Sequence, residues 1–251
     1  MAPEPGGRAR IGRVDVVMPA HDEERHLERA LCAIQAAAAA LERRRPGTDV
    51  GITVVLDHCT DRSAEVVSAF AGLDRRITVL SRRFRNAGAS RAAGVAAALL
   101  GRQSSLEKTW LASTDADSCV PDTWLWRQLE FADAGWDVVL GSVEPDPGGM
   151  DPEVLRRWRA RHPFGEDHPH VYGANLGVRA SAYLHAGGFP EIRSAEDRIL
   201  AERLRRRGFA VVATDTIRVV TSGRTAARAP RGFGAYLRTI GVEAAAALRS
   251  G

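Results

Sequence analysis

The chain has 251 residues, of which 45% are hydrophobic and 26% charged, the balance of a globular protein long enough to bury a sizeable core. Its formal net charge is +4, and acidic residues are interspersed among the arginines, so no long basic stripe forms and nucleic-acid binding is set aside. The three scattered cysteines, Cys32, Cys59 and Cys119, include no CxxC pair, which argues against a disulfide framework or zinc site and for a reduced, cytoplasmic chain.

Residues 1–12 are rich in Pro, Gly and Arg, lack an apolar leader segment and read as a flexible tail. No uncharged apolar run is long enough to span a bilayer, which leaves only peripheral membrane contact open. "RVDVVMPA" (13–20) predicts a strand ending near Pro19. A helix over 23–44 follows, with Leu27, Leu31 and Ile34 as its apolar stripe, stopped by Pro46-Gly47. Residues 51–57 predict a second strand, 61–72 a capped helix and 76–81 a third strand. Residues 88–101 form a small-residue helix suited to close packing. A fourth strand over 109–114, a helix over 122–133 and a fifth strand over 136–142 complete the alternation. Beyond 142 the pattern fades. A loop (144–149) leads to a helix over 151–162 and an irregular stretch over 163–170. Residues 171–191 read as a short strand, a helix and a Gly-rich turn. Ser194 opens another helix, 210–222 is a hairpin or one kinked strand, and 232–250 is an amphipathic helix.

Strands alternating with helices predict an α/β fold, with a Rossmann-like, mostly parallel sheet covered by helices on both faces. The reading is one domain over 13–251, with a nucleotide-type half (13–142) and a half that shapes a second substrate site (143–251). In such sheets ligands bind beyond the carboxyl ends of the strands. Asp57, the "STDADS" stretch (113–118) and the turn over 19–24 all lie at such ends. Asp115 and Asp117 are one residue apart and repel each other unless something neutralises them. Two hard oxygen donors suit magnesium or manganese, with phosphate oxygens completing the shell. The competing reading, an Asp that caps the next helix, explains one acid more easily than two.

Four blocks, "VVMPAHDEERHLERAL", "VVLDHCTDRSAEV", "TWLASTDADSCVPDTWL" and "SAEDRILAERLRRRGF", together with "NAGASRAAG" and "VYGANLGVRASAYLHAGGF", fall in an order that resembles family 2 glycosyltransferases of the GT-A fold. The resemblance covers about residues 13–210. It implies transfer of a glycosyl group from a nucleoside-diphosphate sugar to an acceptor hydroxyl, metal-dependent and inverting. Pro19, Ala20 and Glu23 would line the nucleotide pocket, Asp57 would accept from the base, and Arg91 would approach the nucleotide or its phosphates. Asp115 would sit near the ribose and metal, Asp117 would ligate the metal, and Asp197 would be the general base.

Each assignment has a plainer rival. Asp57 could simply end a strand, and Arg91 could lie on a solvated helix face. With Ser194 as N-cap, Asp197 falls at the third helical position and completes a capping box. Its neighbour Glu196 is read as pointing elsewhere. His21, His58 and His185 read as core or surface side chains. Some relatives supply a late His to the metal, but no His follows His185. Arg224, Arg228 and Arg231 cluster after the last strand, either as a solvated loop or as a grip on the diphosphate or an anionic acceptor. The rival functions are a GT-A scaffold that only binds nucleotide-sugars and a D-x-D phosphohydrolase.

Overall fold

The computed structural model describes residues 8–100, 105–148, 150–225 and 232–249. Among these, the apolar runs become β1 (Arg13–Ala20), β2 (Asp49–Asp57), β3 (Ile77–Arg82), β4 (Thr109–Ser113), β5 (Ser118–Cys119), β6 (Val138–Pro145), β7 (Leu176–Arg179) and β8 (Val211–Thr221). They form one eight-stranded sheet in the order β3-β2-β1-β4-β7-β6-β8-β5. β1 is parallel to β2 and β4, β2 to β3, and β6 to β8. β7 is antiparallel to β4 and β6, and β5 to β8.

The helices are α1 (Leu27–Arg44), α2 (Ser63–Leu73), α3 (Ala87–Leu99), α4 (Trp124–Asp133), α5 (Pro152–Arg161), α6 (Ala180–His185), α7 (Glu196–Arg206) and α8 (Phe233–Arg249). Successive residues of a strand face opposite sides, and β1 divides its side chains accordingly. Val14, Val16 and Met18 join a core with α1 and α4, whereas Val17 and Leu111 join a core with α3, α6 and α7. Burial on both faces explains why β1 reads as a continuous apolar run. The small-residue pattern of α3 has a steric cause. A Cβ on Gly94 would come within 2.5 Å of Val17 Cγ1 and 2.9 Å of Val55 Cγ2.

Three expectations change, and one open choice is decided. α1 begins at Leu27 rather than 23, because Asp22 and Glu24 are engaged sideways with the loop before α2. Thr60 N donates to Asp22 Oδ1 (2.6 Å), Glu24 N to Asp61 Oδ2 (2.9 Å) and Arg62 N to Glu24 Oε2 (3.0 Å). The 210–222 region is one strand, and its pairing with β6 shifts register between Gly141 and Val143. The two expected halves are interleaved, since β7 from the later half lies between β4 and β6. Of the expected tail, residues 8–12 are docked: Ile11 is 2% exposed, and Arg8 bonds Asp137 at 2.7 Å. Residues 1–7, like Arg228 and Arg231, lie outside the described residues.

Candidate functional site

The parallel registers bring Ala20 opposite Leu56 and Val17 opposite Ser113, so β1, β2 and β4 end on one edge. Pro19 and Ala20 close β1 there, with the Ala20 carbonyl accepting the Cys59 thiol at 3.4 Å. Glu23, three residues on, is buried, and its N–H donates to Ser63 Oγ at 2.8 Å.

Asp57 ends β2 and is 4% exposed. One carboxylate oxygen accepts from Phe84 N (2.6 Å) and Arg85 N (2.9 Å). The other accepts from Asn86 N (3.0 Å) and Ser90 Oγ (2.8 Å). Burial pushes this carboxyl up, but the backbone donors outweigh it and hold it below its ordinary value. A carboxylate has about four acceptor positions, and these four donors engage both of its oxygens. Asp57 is a strap that ties the end of β2 to the start of α3. Asp57→Ala should therefore lower stability by about 1–3 kcal/mol through buried donors left unsatisfied, read as a fall in the denaturant midpoint. An unchanged midpoint would contradict the strap.

Two arginines organise the acids. Arg91, on α3, is 4% exposed, which removes the solvated-face reading. Its Nε donates to Ser113 Oγ at 3.1 Å, and its two terminal nitrogens pair with Asp115 and Glu196. The guanidinium packs so closely on the 173–175 turn that a Cβ on Gly173 would lie 2.6 Å from Nη2. Burial pushes the Glu196 carboxyl up and Arg91 pulls it back, with the net displacement upward. Asp115 stays 35% exposed on its side chain, so part of its carboxylate faces the crevice.

The second hub is Arg224, just beyond β8. It grips Glu23 with both terminal nitrogens (2.8 and 2.7 Å) and bonds Asp117 at 2.9 Å. The Asp117 carbonyl accepts Ser222 N at 3.0 Å, and β5 pairs Ser118 with Thr221, so the D-x-D stretch is fastened to the end of β8. Burial, opposed by Arg224 and reinforced by the nearby Asp115 and Glu23 charges, pushes the Asp117 carboxyl up to about 6. Asp117 and Arg224 both line a cavity of about 330 Å³, with Arg25, His26 and Arg29 on its α1 side.

Asp197 lies beside Glu196 at the start of α7, one residue earlier in the helix than the capping-box reading requires. The N-cap is Ala195, at φ 68°, and it makes no side-chain cap. Ser194 Oγ is buried without a partner among the described residues. Asp197 Oδ2 instead accepts Gly173 N at 2.6 Å, and Oδ1 accepts Arg198 N at 2.7 Å. The carboxylate thus faces the 173–175 turn, and Glu196 links it to Arg91 and the D-x-D stretch.

The model of the family described as glycosyl transferase family 2 matches residues 15–185, more than half of the chain. The chain belongs to that family. No curated protein sequence matches it. The fold is the GT-A fold, shared with solved glycosyltransferases at low identity. TarS of S. aureus is 16% identical at a TM-score of 0.62, the match covering 92% of this chain and 39% of that one. The mannosyltransferase PcManGT from Pyrobaculum calidifontis, solved with GDP-Man and Mn2+, is 20% identical at a TM-score of 0.62, covering 100% and 67%. GalNAc-T7, solved with UDP, GalNAc and Mn2+, is 14% identical at 0.61, covering 84% and 44%. The chain thus spans well under half of TarS. In this member of the family, sequence reasoning singled out Arg224 but not its contacts with Glu23 and Asp117, and it missed the pairing of Glu196 with Arg91. The charge pair "ED" and the arginine directly after the last strand were the available signals.

Proposed function

We propose that this glycosyltransferase moves a glycosyl group, as a hexosyltransferase, from a nucleoside-diphosphate sugar to an acceptor hydroxyl, with a divalent cation and inversion at the anomeric carbon. The observation that carries the reading is the Arg91 hub. One buried guanidinium holds Asp115 on one side and Glu196, the residue before Asp197, on the other, which supports reading the D-x-D stretch and Asp197 as parts of one site. The nucleotide would lie along the turn of Pro19, Ala20 and Glu23, with Asp57 keeping its rim in shape.

The donor set suits a hard cation. Asp115 and Asp117 offer carboxylate oxygens only; burial first, and then the neighbouring Asp115 and Glu23 charges, push the Asp117 carboxyl up, and a cation bound there would favour its ionised form. Magnesium or manganese would be held by these two residues, with donor phosphates completing the shell. Bound there, it supplies positive charge to the leaving diphosphate. The solved complexes of PcManGT and GalNAc-T7 contain Mn2+, which supports the choice. Asp197 would take the acceptor proton as the hydroxyl oxygen attacks the anomeric carbon from the face opposite the nucleoside diphosphate; the bond to the diphosphate breaks as the new bond forms, and attack from that face inverts the centre. We further propose a cytoplasmic location; no described helix is long and apolar enough to cross a membrane.

The test is release of nucleoside diphosphate from a panel of nucleotide-sugars with manganese and no acceptor. Slow release from a preferred donor is the expected result. Tight donor binding with no release, and no transfer to any hydroxyl offered, would favour the scaffold that only binds nucleotide-sugars. The family match gives the phosphohydrolase alternative no support.

A further inference from the structure

We propose that Arg224 is a donor-sensing latch: it holds Glu23 and Asp117, and a bound nucleoside diphosphate draws it onto its phosphates, freeing Asp117. This rests on the reading of Asp117 as a metal ligand and deepens it.

The geometry is specific. Arg224 meets Glu23 with a two-pronged grip and reaches Asp117 with the Nη2 that also holds Glu23. Its guanidinium therefore covers an oxygen that a cation would need. A guanidinium is always charged and presents its donors in a fixed fork, matching phosphate as well as carboxylate. Asp117 and Arg224 line the same cavity, together with the basic side chains of Arg25 and His26. A diphosphate entering it meets Arg224 and the D-x-D stretch at once. The short segment from Thr221 to Arg224 also carries the bond from Ser222 N to the Asp117 carbonyl, so the latch is hung on the strand end that positions the ligand.

The consequence is coupling. A metal ion alone must displace a cation from Asp117, whereas a metal ion arriving with a diphosphate finds that cation a new partner. Metal and nucleotide then strengthen each other's binding reciprocally. Without Arg224, the metal ion alone should bind better and gain less from the nucleotide.

The experiment measures free manganese by its paramagnetic resonance signal, with wild type, Arg224→Ala, Arg224→Gln and Arg224→Lys, first alone and then with UDP or GDP. The neutral variants should bind manganese alone roughly tenfold more tightly than wild type, and the gain in manganese affinity on adding nucleotide should shrink by at least that factor. Arg224→Lys, which keeps the charge, should stay near wild type with manganese alone. If Arg224→Ala does not fold, Arg224→Gln keeps a hydrogen-bonding group toward Glu23 and carries the comparison. Equal manganese affinity in wild type and the neutral variants overturns the latch while leaving the donor site intact. A wild type that binds neither manganese nor nucleotide overturns both the latch and the metal-and-donor reading beneath it.

Discussion

Asp197→Asn is expected to lower turnover by roughly a hundredfold or more while leaving donor affinity nearly unchanged. The side chain keeps its shape but is a very poor proton acceptor. Its structural cost can be read from its bonds. Asp197 accepts two backbone N–H groups, from Gly173 and Arg198. An asparagine oxygen can serve only one, and its NH2 faces the other donor, so about 1–3 kcal/mol of stability goes with it. Glu196→Gln separates the two adjacent acids. Glu196 touches Arg91, so losing its charge should weaken donor binding more than it slows the chemical step. A D197N protein that transfers sugar at near wild-type rate would remove Asp197 as the base. Transfer rate, donor affinity and melting temperature for both variants decide the matter.

Arg91→Met should produce the largest loss of stability of any substitution in the site. The methionine is apolar and of similar length, so little packing is lost. What remains is Glu196, buried with no counter-charge, and Asp115, partly exposed. Stranding a buried charge costs about 3–5 kcal/mol, which corresponds to a fall in melting temperature on the order of 10 °C for a chain of this size. Arg91→Lys keeps the charge but cannot span Ser113, Asp115 and Glu196 together, so it should fall between the two. Nucleotide binding should weaken in both variants, because Asp115 loses its support. A melting temperature within about a degree of wild type for R91M would contradict the hub.

The strands that end at Ala20, Asp57 and Ser113 were legible because each is short, apolar and flanked by turn residues, and burial on both faces gives parallel strands that signature. α3 was legible through its small residues, which Gly94 shows to be a packing requirement. The start of α1 was not, since Asp22 and Glu24 look like helix-start acids and instead bond across to the 60–62 loop. Ser194 looked like a cap by spacing alone, but the left-handed backbone at Ala195 takes that position. In the site, the acids were legible as types at strand ends. Their partners were not, because guanidiniums reach far along the chain: Arg91 joins residues 24 and 105 positions away, and Arg224 reaches back 201 positions to Glu23. At Asp57 the sequence showed an acid at a strand end but not the four protein donors around it, because these come from residues 84–90 on the loop before α3 and its first turn.

The central claim is that the Asp115/Asp117 pair acts through a divalent cation on a nucleoside diphosphate. Calorimetric titration of UDP and of GDP, each in manganese and in EDTA, with wild type and Asp117→Asn, tests it most directly. The account predicts that one of the two nucleotides binds wild type at least about tenfold more tightly in manganese than in EDTA, and that D117N binds it equally weakly in both. Equal affinity of wild type for that nucleotide in manganese and in EDTA would contradict the account.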